Sequence, residues 1–326
     1  MSAELDSSSS LLYEHSRRPQ WGLCILSSED KTSRKYQFQD GRSRTFKEGF
    51  YHLLEAVERS EDETDLIVAT LSKAMDRAVT RTRIMERAKK EGRNIFTVSD
   101  QISLFTKNYP GGFQEEGYIE QIRQGGGANR RRKKNREAGL EVAQEMLGQQ
   151  VLDEALLARD YRGIYDCAIK VLSCTDIAST STDVRPLRKL PDSHIAEFAV
   201  TLRDVLYGTD PYEERFGGMM ALLEDHEETR PTWPMATVIQ GLVHPDEFYC
   251  IKPSVFRQQA RWLAPELSYS PNPSAGRYLA YHKMADDLKV RLERAGLKPM
   301  DNLDVYNFIW ETMRPGVRKD LELVKR

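Results

Sequence analysis

The stretch RRPQWGLCILSSEDKTSRKYQFQDGRSRTFKEGFYHLLEAV, residues 17–57, decides the front of the fold. Trp21, Leu23 and Ile25 alternate with smaller neighbours, and the polar run SSEDKTS interrupts them. Tyr36 and Phe38 alternate with Lys35 and Gln37, and Asp40-Gly41 follows at once. Both turn residues tolerate positive φ, so Asp-Gly between alternating segments predicts a β-hairpin. Thr45 and Phe46 fall on the returning strand, and the chain through Val57 closes a compact meander. Alternation places Tyr36 and Phe38 on one face, which in so small a module is its core. Trp21, at the start of the first strand, is expected to make the exposed contact.

Outward from this module the pattern turns helical. Residues 1–16 read as a disordered lead-in without the apolar core of a signal peptide. From Asp62, Leu71, Met75, Ala78, Met85 and Ala88 recur at three-, four- and seven-residue steps, predicting a long helix ended by Gly92. A short helix stopped by Pro110-Gly111-Gly112 comes next, then a second short one over EEGYIEQIRQ. After the glycines at 125–127 a long helical stretch is expected to run to about Leu172. Ile195, Phe198, Leu202 and Leu206 form a helical stripe after Ser193, and DNLDVYNFIWETM predicts a last amphipathic helix burying Leu303, Phe308 and Trp310. The intervening segment with Pro231, Pro234, Pro245 and Pro253 reads as ordered but irregular.

The expected fold class is α+β. A small β-barrel spans residues 17–60, a helical region with a basic, glycine-rich linker spans 61–136, and a mainly α-helical domain spans 137–326. At 326 residues both parts can bury a core, and 40% hydrophobic with 30% charged residues is ordinary for a globular protein. No apolar run reaches the length that spans a bilayer, so no membrane partner is expected and a cytoplasmic location is. Cys24, Cys167, Cys174 and Cys250 form no C-x-x-C pair and read as reduced thiols, the middle two seven apart and so on one helical face.

The residues Trp21, Gly22, Phe38, Asp40, Gly41, Thr45 and Phe46 resemble the pattern of small bacterial SH3-like or Tudor-like barrels. The same shape is similar to the RNA-polymerase-interacting modules of CarD-like regulators and of transcription-repair coupling factors. Cys24 departs from that pattern, standing where a second glycine is usual. The remainder, with YPGGF, LYG and WPMATV, looks like uncharacterised bacterial proteins of host-defence neighbourhoods, including accessory proteins beside type III CRISPR effectors. The resemblance implies a non-enzymatic adaptor of bacterial transcription or antiviral defence. Its barrel would dock RNA polymerase, a sigma-type factor or a defence-complex subunit, with Trp21, Tyr36, Arg42 and Arg44 as partner-binding residues.

The net charge of −2 conceals segregated charge. Six of the seven residues from Arg130 to Arg136 are cationic: Arg130, Arg131, Arg132, Lys133, Lys134 and Arg136. A phosphate backbone complements such a run, because each phosphate neutralised releases counterions. Arg77 and Arg81, spaced by four with Lys73, add a second basic set. An acidic protein surface or plain solvation are the competing readings. The alternative of a pure protein-interaction subunit therefore stays open. So does a hydrolase whose site would require two carboxylates or a histidine pair brought together by the fold.

Motifs for chemistry are otherwise absent. No phosphate-cradling G-x-x-x-x-G-K-[ST] or G-x-S-x-G elbow occurs. His226, His244, Asp246 and Glu247 lack metal-ligand spacing, and residues 224–228 read as a solvated acidic loop. No cofactor or metal is expected. Trp233 and Lys252 read either as groove lining or as parts of a Pro-bounded segment packed over a core.

Overall fold

In the computed structural model the described residues are 12–90, 96–126, 135–265 and 267–317, with the side chains of 77, 78, 80, 81, 85, 88, 89 and 227 excluded. The chain divides into two compact units between residues 92 and 93. The first holds β1 (Leu12–His15), β2 (Cys24–Glu29), β3 (Ser33–Phe38), β4 (Ser43–Lys47), β5 (Leu54–Val57) and α1 (Glu61–Lys90). The strands form one antiparallel sheet in the order β4-β3-β2-β1-β5.

Two turns fix its register. Asp30 accepts from the backbone N–H of Thr32 (2.9 Å) and of Ser33 (2.8 Å), turning β2 into β3. Gly41 takes φ 79° between β3 and β4, as the Asp-Gly signal requires. The sheet is open, with β4 and β5 as its two edges, so the expected closed barrel is corrected to an open five-stranded sheet. Residues 1–11 of the expected lead-in lie outside the described residues, and its last part differs from the expectation. Leu12–His15 is a strand inside the sheet, pairing with β5 along its length and with β2 at Tyr13 and Cys24.

Alternation gives this sheet two apolar faces. On one, Leu12, Leu23 and Ile25 meet Leu71 of α1, flanked by Ile67, Val68 and Met75. Those α1 positions lie one helical turn apart, so one stripe of the helix covers the sheet. On the other, Cys24, Tyr36, Phe38 and Leu54 are buried with Tyr13, Trp21 and Phe46 packed against them.

The second unit is helical. It runs through α2 (Val98–Asn108), the single turn α3 (Glu116–Tyr118), α4 (Arg136–Leu147), α5 (Gln149–Leu157) and α6 (Tyr161–Cys174). It continues through α7 (Arg185–Leu187), α8 (Ile195–Tyr207), α9 (Tyr212–Glu224), α10 (Trp233–Val243), α11 (Pro253–Leu263), α12 (Ala275–Arg294) and α13 (Asn302–Met313). The single long helix expected to Leu172 is three helices. Gly148 leaves the helical region at ψ 151°, and Arg159 adopts φ 57° before Asp160 caps α6 through the N–H of Gly163.

Helices α10 and α13 are buried on nearly every side, as central helices must be. Four of the helices around them, α4, α6, α8 and α13, pack on α10, while α2, α11 and α12 pack on α13. The Pro-rich segment is more regular than expected. Pro234 and Pro253 occupy the first turns of α10 and α11, where proline lacks no needed N–H. Ile195, Phe198, Leu202 and Leu206 are all buried in α8, as their spacing predicts. Leu303 and Phe308 are buried in α13, while Trp310 is half-buried.

Candidate binding surfaces

The aromatic face of the sheet carries most of the expected partner-binding residues. Trp21 precedes β2 in a short 3-10 turn and sits edge-on to Phe38 (5.4 Å) and to His15 (4.6 Å). Arg44, on edge strand β4, lies over Trp21 with its guanidinium carbon 3.9 Å from the ring centroid and 4.8 Å from that of Phe38. Asp40 holds the guanidinium in place through two bonds of 3.0 and 2.5 Å. That fork fixes a side chain that would otherwise be mobile.

On this face Tyr13, Trp21 and Phe46 are half-buried, and elsewhere in the sheet unit Leu26 is 39% exposed and Phe50 56% exposed. Arg42 is exposed at the hairpin turn. Among the described residues strand β4 is hydrogen-bonded to β3 on one side only, leaving its outer side an edge that suits a further strand. Tyr36 does not belong to this surface. It is 2% exposed, edge-on to Tyr13 and Phe46, and burial pushes its hydroxyl up, so it is core. Trp21, expected as the exposed contact, is half-buried because Arg44 covers its face.

Burial lowers the His15 pKa, and the ring lies edge-on to Trp21. The hydrogen bonds from Arg44 hold the Asp40 carboxyl below the usual carboxylate range.

The cationic run fares differently. Arg130, Arg131, Arg132, Lys133 and Lys134 lie outside the described residues, as do the side chains of Arg77 and Arg81 on α1. Arg136 is described, and it is buried against partners of its own chain. At the first position of α4 it is 4% exposed, bonds Asp176 from Nε (3.0 Å) and donates from Nη1 to Asn307 Oδ1 (2.6 Å). An arginine so enclosed directs donors from all three of its nitrogens to groups of its own chain.

Arg136 ends a polar chain through the second unit. Asn307 donates to the hydroxyl of Tyr118 (3.0 Å), which donates to Asp304 Oδ1 (2.6 Å). Arg123 bonds Asp304 and Asp301 at 2.8 Å each and Glu137 at 2.5 Å. Burial raises the Asp304 carboxyl even though Arg123 opposes it. The network braces Tyr118, Arg123 and the start of α4 against α13. Sequence reasoning missed it because its members are up to 189 residues apart.

Trp233 is core, 1% exposed with its Nε1 donating to the Ser270 carbonyl. Lys252 is half-buried, bonding the Asp176 carbonyl (3.1 Å) and lying 4.8 Å from the ring centroid of Trp310, and burial lowers its pKa. A cleft of about 260 Å³ is lined by Arg261, Trp262, Arg314 and uncharged neighbours, with no carboxylate among the described residues. Among the described residues one group of potential metal ligands converges, His194, Asp225 and His226. No described helix is long and apolar enough to cross a membrane.

Comparison with protein-family models, with curated proteins and with solved structures found no match.

Proposed function

We propose that this chain is a non-enzymatic adaptor. The aromatic face and the open β4 edge of its sheet hold a protein partner, and the cationic segment Arg130–Lys134 holds nucleic acid. The observation that carries this reading is the Arg44 guanidinium, clamped by Asp40 over Trp21 on a half-exposed aromatic face beside a strand that is an edge among the described residues. A pre-ordered cation on a ring, next to free backbone donors and acceptors, suits an extended peptide that adds to β4 and places an acidic side chain near Arg42 and Arg44. The setting implied by the resemblance, bacterial transcription or antiviral defence, is consistent with such a module.

Two measurements on the full chain separate the halves. Fluorescent single-stranded and duplex oligonucleotides are titrated from about 50 to 200 mM salt, where each phosphate neutralised contributes a log–log slope of about −0.9 on duplex DNA. Alanine at Arg130, Arg131, Arg132, Lys133 and Lys134 is expected to flatten that slope and weaken binding. Unchanged binding removes the nucleic-acid half. Nuclease-treated co-purification tests the sheet, with Trp21→Ala and Arg42→Glu expected to release the partner. Partner capture lost on the cationic changes, with oligonucleotide binding unaltered, would instead favour a pure protein-interaction subunit.

A further inference from the structure

Two histidines distant in sequence meet in the second unit. His194 ends the 3-10 turn Asp192–His194 that leads into α8, and His226 follows the C-terminus of α9. Their rings lie 4.2 Å apart, edge to face at 77°. Asp225 stands beside them, its Oδ2 4.0 Å from His194 Nε2. One donor atom from each of the three lies within 4.8 Å of the others. We propose that His194, His226 and Asp225 form a binding site for a first-row transition-metal dication of the zinc class, with one coordination position left open.

Two details point to a cation there. Ser193 Oγ lies 2.9 Å from His194 Nδ1, engaging that nitrogen and leaving Nε2 directed at Asp225. A hydrogen-bonded Nδ1 with a free Nε2 is the arrangement that metal-ligating histidines adopt. The second detail is His226 Nε2, which is buried and has no hydrogen-bond partner among the described residues. A buried ring nitrogen of this kind calls for an occupant, and a donor atom of the same ring lies within 4.8 Å of donor atoms of a second imidazole and a carboxylate.

Geometry and donor chemistry select the ion. Tetrahedral zinc with bonds near 2.0–2.1 Å places its donors about 3.3 Å apart. The 4.0 Å separation of His194 and Asp225 therefore closes by less than about 1 Å, and the Asp225 side chain, 72% exposed, is free to make that movement. Two imidazoles with one carboxylate suit zinc, nickel or copper, whereas magnesium and calcium prefer oxygen shells. Three protein ligands leave a fourth position for water or for a donor brought by a partner. The site bridges the entry to α8 and the loop after α9, so an ion there would cross-link them.

The test uses the tag-free full chain, stripped with a chelator and dialysed. Zinc is titrated against a fluorescent zinc chelator, and cobalt is added separately as a visible-absorption reporter of coordination. One equivalent of zinc is expected to bind, with magnesium at the same concentration failing to compete. His194→Asn and His226→Asn should each weaken zinc binding by about 100-fold, and Asp225→Asn by about 10-fold. His52→Gln, at an exposed position in the sheet unit, should change nothing. Far-ultraviolet circular dichroism establishes that each variant is folded. Because Asp225 is exposed, Asp225→Asn remains informative even if a histidine variant fails to fold. The proposal is overturned by the absence of saturable zinc binding below about 100 μM, by displacement of zinc by magnesium, or by binding that Asp225→Asn and the folded histidine variants leave intact.

Discussion

Arg136 Nε lies 3.0 Å from Asp176 Oδ1, and its Nη1 lies 2.6 Å from Asn307 Oδ1. The last cation of a run that reads as one basic stripe is thus an internal brace. Replacing it with alanine would leave Asn307 Oδ1, in a fully buried residue, without its donor and Asp176 without its counter-charge. Removing one partner of a buried ion pair costs about 3–5 kcal/mol. Arg136→Ala is expected to lower the urea midpoint of the second unit accordingly, with Arg136→Lys recovering only part, because lysine cannot serve two acceptors in a fixed fork. A midpoint within experimental error of the parent would show that the brace contributes nothing.

The Asp40–Arg44 pair should give the sheet unit a pH signature. Arg44 holds the Asp40 carboxyl below its unfolded value, so its stabilisation is present above about pH 4 and fades as pH falls through the depressed folded value. With side chains 17% and 22% exposed, the pair is partly screened and contributes about 1 kcal/mol. Asp40→Asn is expected to lower the thermal midpoint at pH 7, the gap narrowing toward pH 3. An equal gap at both values would show that the carboxylate charge is not what holds Arg44.

The four thiols should resist reagents in the folded chain, in an order set by burial. Burial pushes Cys24 and Cys250 up to about 12 and Cys174 to about 11. At pH 8 their thiolate fractions are then about 10⁻⁴ and 10⁻³, and the thiolate is the nucleophile. Half-buried Cys167 is expected to alkylate first, Cys174 much later, and Cys24 and Cys250 only on unfolding. Peptide mass spectrometry over a time course reads the order directly, and early labelling of Cys24 or Cys250 would contradict their enclosure.

Local chemistry was legible in the sequence wherever neighbours decide the outcome. The Asp40-Gly41 hairpin and the α8 stripe depend on contacts within a few positions, and the chain reads them aloud. Strand β1 was not legible: LYEH is four residues long, follows a serine run, and becomes a strand because β2 and, some 40 residues on, β5 pair with it. The breaks at Gly148 and Asp160 were visible as a glycine and an N-cap residue, yet the apolar period across them suggested one helix. His194 and His226 carry no spacing signal at all, since packing alone brings them together. Arg136 misled for the opposite reason, as charge density cannot tell a solvated arginine from one whose acceptors arrive from α13 and from beyond α6.

One glycine substitution should change sign with location. Alanine is favoured over glycine inside helices by about 0.5–1 kcal/mol, because glycine loses more backbone freedom on folding. At Gly217 in α9 a Cβ would meet nothing within 4 Å, so Gly217→Ala is expected to stabilise by about that amount. At Gly241 in α10 the same atom would lie 2.9 Å from the backbone nitrogen of Cys250 and 2.8 Å from its Sγ. Backbone cannot swing aside, so α10 must separate from the segment carrying Tyr249 and Cys250, both buried. Overpacking of this kind costs about 1–3 kcal/mol. Gly241→Ala is therefore expected to lower the urea midpoint while Gly217→Ala raises it. If both raise it, α10 does not approach Cys250 as closely as its glycine allows.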